Sequence, residues 1–490
     1  MTRWENTSVY RALGTLSALP VRALSRLPLK AGKRRCGLSF SQWFLLLGMG
    51  AMLCVPHGAW NNLYAVLFAL AALLVYWFGC AARKDAPRNI GDLGPAALGF
   101  LLMTVLCTLW AGNKAGNLRV ALFFWTGFLL AYLTAAQFRT RTERRAAAAA
   151  LYITLLAVSL YGLWNYITGA EASDVPIDGE MYRRLGATLE HGINCGEFLA
   201  MALPVALVWA LTAPTKAQRI ALTVPLLLPC AAILLTYART GWIMLALALV
   251  LLLWYKKKIL LLPAAALGIG ALFLLPESLQ ARFLSMLDFS NASASGRFVL
   301  WSECLAVWKD HWLLGIGLGP ENFSAVYAPY ATGLLDFQPP HSNMLYLEMF
   351  LSTGIVGGLL FCGFFFGIFV RLRRAVRARP EKRDRREAQA LIAALAGAAL
   401  GGIPEYIWFY PRILFFWCAL FGMALAVSGD TLTPLAFDFT KCNIVNDNGA
   451  YSVYRYKLLC NNLPFNTDAV IITLDPNGKN YTNYTAIIDK

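Results

Sequence analysis

Long apolar runs separated by short polar turns fill the first 430 residues. They lie near 39–56, 62–80, 94–111, 118–136, 148–168, 194–212, 219–236, 240–255, 258–275, 343–370, 388–404 and 411–428. Most approach the roughly 20 residues that a helix needs to cross the hydrocarbon core of a bilayer. A helix satisfies its own backbone hydrogen bonds in lipid, so a helical bundle is expected rather than a barrel. The pattern predicts an all-α polytopic membrane protein with about 12 transmembrane helices. Residues 1–38 form a basic N-terminus, 39–275 hold spans one to nine, and 343–430 hold spans ten to twelve.

Two segments between spans exceed a turn. Residues 169–193 are acidic at first (Glu171, Asp174, Asp178, Glu180) and then basic (Arg183, Arg184). Residues 276–342 form a long external loop between spans nine and ten. It contains a helix-like stretch from Gly296 to Trp312 and a glycine-rich turn, Gly315-Ile-Gly-Leu-Gly319-Pro320. Loops of that length in compact proteins are usually functional. After about residue 430 the chain becomes a polar, Asn- and Tyr-rich tail, 431–490. Its alternating stretch Ala469–Leu474 predicts a few strands, and no role follows from it.

Composition agrees with the membrane reading. Hydrophobic residues make up 58% and charged residues 14%, too few to coat a soluble globule, where about a quarter is usual. A net charge of +16 would suggest nucleic acid in a soluble protein. Its distribution points elsewhere. With the N-terminus inside, 29 of the 43 Lys and Arg fall in inner segments, nine in outer ones and five in the tail. That bias sets orientation in the membrane, and no nucleic-acid partner is needed. The basic stretch Arg22–Arg35 runs straight into a full-length span, so no removed signal peptide is expected. The eleven cysteines are scattered, mostly within apolar runs, with no Cys-x-x-Cys pair and no His/Cys cluster. They read as small buried hydrophobes, and no metal site is expected.

The candidate chemistry lies on the outer side. His341 opens the segment Pro339-Pro340-His341-Ser342-Asn343 at the mouth of span ten. A histidine titrates near neutrality and can take a proton from a hydroxyl, though a capping role is an ordinary alternative. The spacing to Glu348 predicts two helical turns on one face, with Glu348 about 10 Å deeper. A lone carboxylate inside a span usually has a partner or a purpose. Arg239 sits in the tight turn between spans seven and eight. Arg183 and Arg184 precede span six, and Arg297 begins the amphipathic stretch of the long loop. Guanidinium forks match phosphate oxygens two at a time, so these arginines fit a lipid phosphate or pyrophosphate at the outer surface.

Four local patterns resemble the O-antigen ligase and polymerase superfamily of bacterial membrane glycosyltransferases. Arg184-Leu-Gly186-Ala-Thr188 through Asn194 is similar to its Arg-x-x-Gly-Thr segment. Thr236-Tyr-Ala-Arg239-Thr-Gly241 is similar to its Thr-x-Ser-Arg-Gly turn, with Ala238 in place of the usual serine. Arg297 to Phe323, through Trp301 and the Gly315–Gly319 turn, resembles its external-loop helix. His341-Ser-Asn343-x-Leu345-x-Leu347-Glu348 resembles its His-Asn/Ser-x-x-Leu signature. The resemblance covers about 150 to 430 and does not reach the tail.

The resemblance implies an inverting transfer without metal, cofactor or nucleotide sugar. A glycan would move from undecaprenyl pyrophosphate to a hydroxyl of a glycolipid or glycan acceptor, at the outer face of the membrane. His341 would be the base. Arg184, Arg239 and Arg297 would hold the pyrophosphate, and Arg183, Asn343 and Glu348 would line the substrate site. Which of Arg183 and Arg184 faces inward is open. Ligase and polymerase share these motifs. A solute transporter is the reading from another class. It would favour charges near the midplane and paired broken helices from two repeats, whereas no internal repeat is evident and the informative charges gather at one mouth. A structural assembly partner without catalysis is a third.

Overall fold

The computed structural model describes residues 4–29, 32, 34–170, 173–177, 180–286, 292–335, 338–378 and 382–429, and four strand segments of the tail. The N-terminus is more than a basic extension: it holds a helix, α1 (Ser8–Leu24), started by the Thr7 side chain. Then come α2 (Phe40–Cys54), α3 (Asn62–Arg83), α4 (Pro95–Leu106), α5 (Lys114–Gln137) and α6 (Arg141–Thr168). The acidic-then-basic segment forms an antiparallel hairpin, β1 (Ser173–Ile177) and β2 (Glu180–Arg184). After it come α7 (Gly192–Leu211), α8 (Lys216–Thr223), α9 (Leu227–Leu235), α10 (Arg239–Lys256) and α11 (Leu261–Leu272). The long loop holds α12 (Glu277–Leu284), α13 (Ala292–His311) and α14 (Pro320–Tyr327). The bundle closes with α15 (Leu345–Ala378), α16 (Lys382–Gly401) and α17 (Pro411–Gly429). In the tail β3 (Asn443–Asp447) pairs with β4 (Ser452–Arg455), and β5 (Ala469–Leu474) with β6 (Thr482–Ile487).

Among the described residues, eight helices are long and apolar enough to cross a membrane, with α8 and α9 counted as one continuous stretch. Three shorter apolar helices, Phe40–Cys54, Pro95–Leu109 and Lys258–Leu272, and α16 occupy the remaining apolar runs. The centre is aromatic. Trp417 of α17 lies with its ring 5.2 Å from Phe365 of α15 and 4.8 Å from Trp408. Ring pairs at such separations add to the burial of their area.

Arg412 is wholly buried at the start of α17. Its guanidinium donates to the carbonyls of Met52, Val55 and Thr188 and to the Tyr410 hydroxyl. It thereby ties the end of α2 and the approach to α7 onto α17. All these partners belong to the protein, so Arg412 is structural.

The glycine-rich turn after α13 adds an extra layer to α15. Gly315, Gly317 and Gly319 all have positive φ. Ile316 and Gly317 donate to the carbonyls of Leu351 and Ser352 at 2.8 and 3.0 Å, and Ile355 donates back to Trp312 at 2.8 Å. α15 breaks at Gly354, where φ is +65°, and a Cβ there would stand 2.2 Å from the Leu313 carbonyl oxygen. The loop is thus seated on the helix that follows the histidine.

Two outcomes follow for stability. Arg412→Met leaves several buried acceptors unsatisfied and is expected to cost about 3 kcal/mol. This is read as a lowered unfolding temperature in detergent, against an unchanged Arg183→Met control. Gly354→Ala is expected to lower the unfolding temperature as well and to expose the 315–319 turn to limited proteolysis. An unchanged cleavage pattern would contradict the seating.

Candidate functional site

Strand alternation sorts the first pair of arginines. Successive residues of a strand face opposite ways. Arg183 is exposed and donates to the Tyr166 carbonyl at 3.3 Å. Arg184 is 5% exposed. Its Nε donates to the Thr236 carbonyl at 3.1 Å, its Nη1 lies 3.4 Å from His191 Nε2, and its Nη2 is buried without a hydrogen-bond partner. Burial pulls the Arg184 pKa down to about 10. His191 is pushed down to about 4 by burial and by Arg184, so it stays neutral beside the guanidinium.

Arg239 begins α10 and donates to the Ser285 carbonyl at 3.1 Å. That places it against α12, whose Arg282 donates to the Tyr237 carbonyl at 3.2 Å. Arg282 is held below the usual guanidinium range by burial and by the like charges of Arg184 and Arg297. Arg297, near the start of α13, pairs with Glu405 at 3.3 Å. Glu405 lies between α16 and α17. Burial raises its pKa, and Arg297 and Arg184 act in the opposite direction. Four arginines, 184, 239, 282 and 297, therefore gather from the β1–β2 hairpin, α10, α12 and α13. Glu405 pairs with Arg297 and also feels Arg184. Arg282 and Glu405 were missed from the sequence: one is a lone arginine in a short amphipathic helix, the other an ordinary-looking acid at the end of a span.

His341 sits on the same inter-span segment. Its ring centroid is 4.3 Å from that of Phe409 and 5.4 Å from that of Tyr406, and it is 8% exposed. Its Nδ1 accepts the Asn343 backbone N–H at 3.1 Å. A neutral ring with Nδ1 as acceptor carries its proton on Nε2. Burial lowers its pKa to about 4. The expected two-turn separation from Glu348 is overturned. His341 lies before the helix, where Asn343 adopts φ +52°. The Glu348 carboxylate folds back to accept the Ser342 N–H at 2.8 Å. Histidine and glutamate thus line one cavity, with Asn61, Asn62, Arg119, Trp408 and Phe409, of about 420 Å³. The side chain of Asn343 is half-buried beside them.

The arrangement has two parts joined by residues 402–410: a cluster of guanidiniums that fits a multiply charged oxyanion, and a polar and aromatic cavity around a neutral histidine. This defines a multi-pass helical membrane protein with a cationic site at the helix ends. Residues 224–362 match the family model for O-antigen ligase, so this stretch of the chain is similar to the O-antigen ligase superfamily. The matched segment contains Arg239, Arg282, Arg297, His341 and Glu348, and leaves Arg184 and Glu405 outside. A search of curated proteins found no match. The family indicates an O-antigen ligase-like function, that of a glycosyltransferase-type enzyme.

The outward and inward arginines give a direct comparison. With inorganic pyrophosphate as probe, Arg184→Ala is expected to weaken binding about tenfold, the worth of a charge-assisted hydrogen bond. Arg183→Ala is expected to stay within about twofold on the same scale. Equal effects in a titration of the purified protein would contradict the assignment.

Proposed function

We propose that the protein transfers a glycan from an undecaprenyl-pyrophosphate carrier to a hydroxyl of a glycolipid or glycan acceptor, at the outer face of the bacterial cytoplasmic membrane. The observation that carries this reading is the cluster of four arginines within and around the O-antigen ligase match, one of which pairs with Glu405, next in the chain to the Tyr406 that packs on His341. Arg184, Arg239, Arg282 and Arg297 hold the pyrophosphate. The acceptor oxygen attacks the anomeric carbon from the opposite side, and the bond from that carbon to the phosphate oxygen breaks with inversion. The departing electron pair stays on the pyrophosphate, where the guanidiniums stabilise the growing charge. The acceptor proton goes to His341. The cavity around Trp408, Phe409, Asn61 and Asn62 offers aromatic faces and amides to the acceptor sugar.

The base role sets a condition on the ring. At rest Nδ1 is occupied by the Asn343 N–H, so Nε2 holds the proton. Taking another proton requires that contact to be given up when substrates bind, and Asn343 is the residue that moves. Catalytic geometry commonly tightens only in the substrate complex.

Two measurements on glycan transfer test this. His341→Gln keeps an N–H donor at the end of its side chain but cannot act as base. It is expected to fall as far as His341→Ala, about 10²–10⁴-fold in kcat. Retained activity in the glutamine variant alone would make His341 a donor instead. The neutral ring is the active form and persists down to about pH 4. The acid limb of kcat/KM is therefore expected near pH 4, not near the ordinary histidine value of about 6.5. A limb at or above the ordinary value would contradict the buried base.

A further inference from the structure

A second polar cavity lies at the opposite end of the bundle. α3 starts at the His341 cavity with Asn62 and ends at this one with Tyr76, Cys80 and Arg83. α5 starts at the first with Arg119 and ends at the second with Gln137. That length of helix rises about 27 Å, close to the thickness of the hydrocarbon core. The two cavities therefore open toward opposite interfaces. The second is about 420 Å³ in volume.

Its wall is built for an anion that also donates hydrogen bonds. Arg83 pairs with Asp85 at 2.9 Å and Arg34 with Glu143 at 3.7 Å. Arg139 is held by its Nε on the Ala136 carbonyl, and among the described residues no carboxylate pairs with it. Ser39 and Ser41 are buried, with their hydroxyls 3.0 Å apart. Gln137 is 6% exposed, and its amide oxygen and nitrogen are both buried without a hydrogen-bond partner. Each orphaned group costs about 1–3 kcal/mol, and a buried polar group left so calls for an explanation. A phosphate diester accepts from Arg139, the Ser41 hydroxyl and the glutamine nitrogen, the Ser39 hydroxyl donating to Gln42 Oε1 at 3.0 Å. A hydroxyl on the same headgroup donates to the glutamine oxygen. Beside the same α5–α6 corner an apolar slot of about 120 Å³ runs between Leu46, Leu151, Trp209 and Phe416, with Arg144 and Arg145 in its wall. Basic pockets between spans are a common seat for anionic headgroups.

We propose that this cavity binds the phosphate of an anionic phospholipid whose headgroup carries free hydroxyls, the phosphatidylglycerol type. It is separate from the candidate transfer site and lies at the other membrane interface. The test is native mass spectrometry of the full-length, delipidated protein. It is titrated with phosphatidylglycerol, with phosphatidylcholine of the same chains, and with glycerol 1-phosphate. Phosphatidylglycerol is expected to bind about tenfold tighter than phosphatidylcholine. Arg139→Gln and Gln137→Leu each weaken it about fivefold, while Lys257→Gln, an exposed basic residue elsewhere on the chain, leaves it within about twofold. Glycerol 1-phosphate binding with the same sensitivity to the variants supports the phosphate seat and assigns it to a soluble ester. Equal binding of the two lipids, or phosphatidylglycerol binding that neither variant changes, overturns the proposal.

Discussion

The ion pair between Arg297 and Glu405 is the contact on which the candidate site depends. It joins α13, a helix of the long loop, to the short connection between α16 and α17, and so fixes the long loop relative to the bundle. It also offsets part of the cost of burying like charges together. Arginines withdrawn from water repel one another and lose hydration, and they persist only where something anionic compensates. The Glu405 carboxylate compensates in part, through its pair with Arg297. A guanidinium cluster held in place in this way has the geometry to meet the oxygens of a multiply charged anion.

The same connection organises the neighbouring cavity. Glu405 faces the arginines, while Tyr406 and Phe409 cradle the His341 ring a few residues on. Arg412 then anchors the connection from below through carbonyls of α2 and of the turn before α7. The loop's glycine turn, locked onto the break in α15 at Gly354, holds the other flank. Two parts with different chemistry are therefore kept in register by three separate restraints, each local and each made of ordinary interactions.

Much of this was legible in the sequence. Spans are visible because a bilayer imposes run length and apolarity, and the expected runs coincide with helices of the bundle. His341, Arg184, Arg239 and Arg297 stood out because charge near lipid needs a reason. The rest depended on local backbone geometry. That Arg184 points inward and Arg183 outward follows from a hairpin whose alternation was hidden in an acidic, mixed segment. His341 and Glu348 were read onto one helix. The chain turns through a positive φ at Asn343 instead, and the carboxylate caps the turn. Arg282 belongs to an eight-residue helix, α12, too short to announce itself, and the helical N-terminus was read only as a basic stretch. Glu405 gains its meaning only from partners more than a hundred residues away.

The most direct measurement is glycan transfer from purified undecaprenyl-pyrophosphate-linked donor by the protein in detergent, without metal or nucleotide sugar. Wild type is compared with Arg239→Ala. The account predicts a labelled acceptor with the wild type and a loss of about tenfold or more in the variant. The labelled species, lipid acceptor or lengthened glycan, would identify ligase or polymerase. Equal transfer by both proteins would contradict the arginine seat, and no transfer from any pyrophosphate-linked donor would contradict the account as a whole.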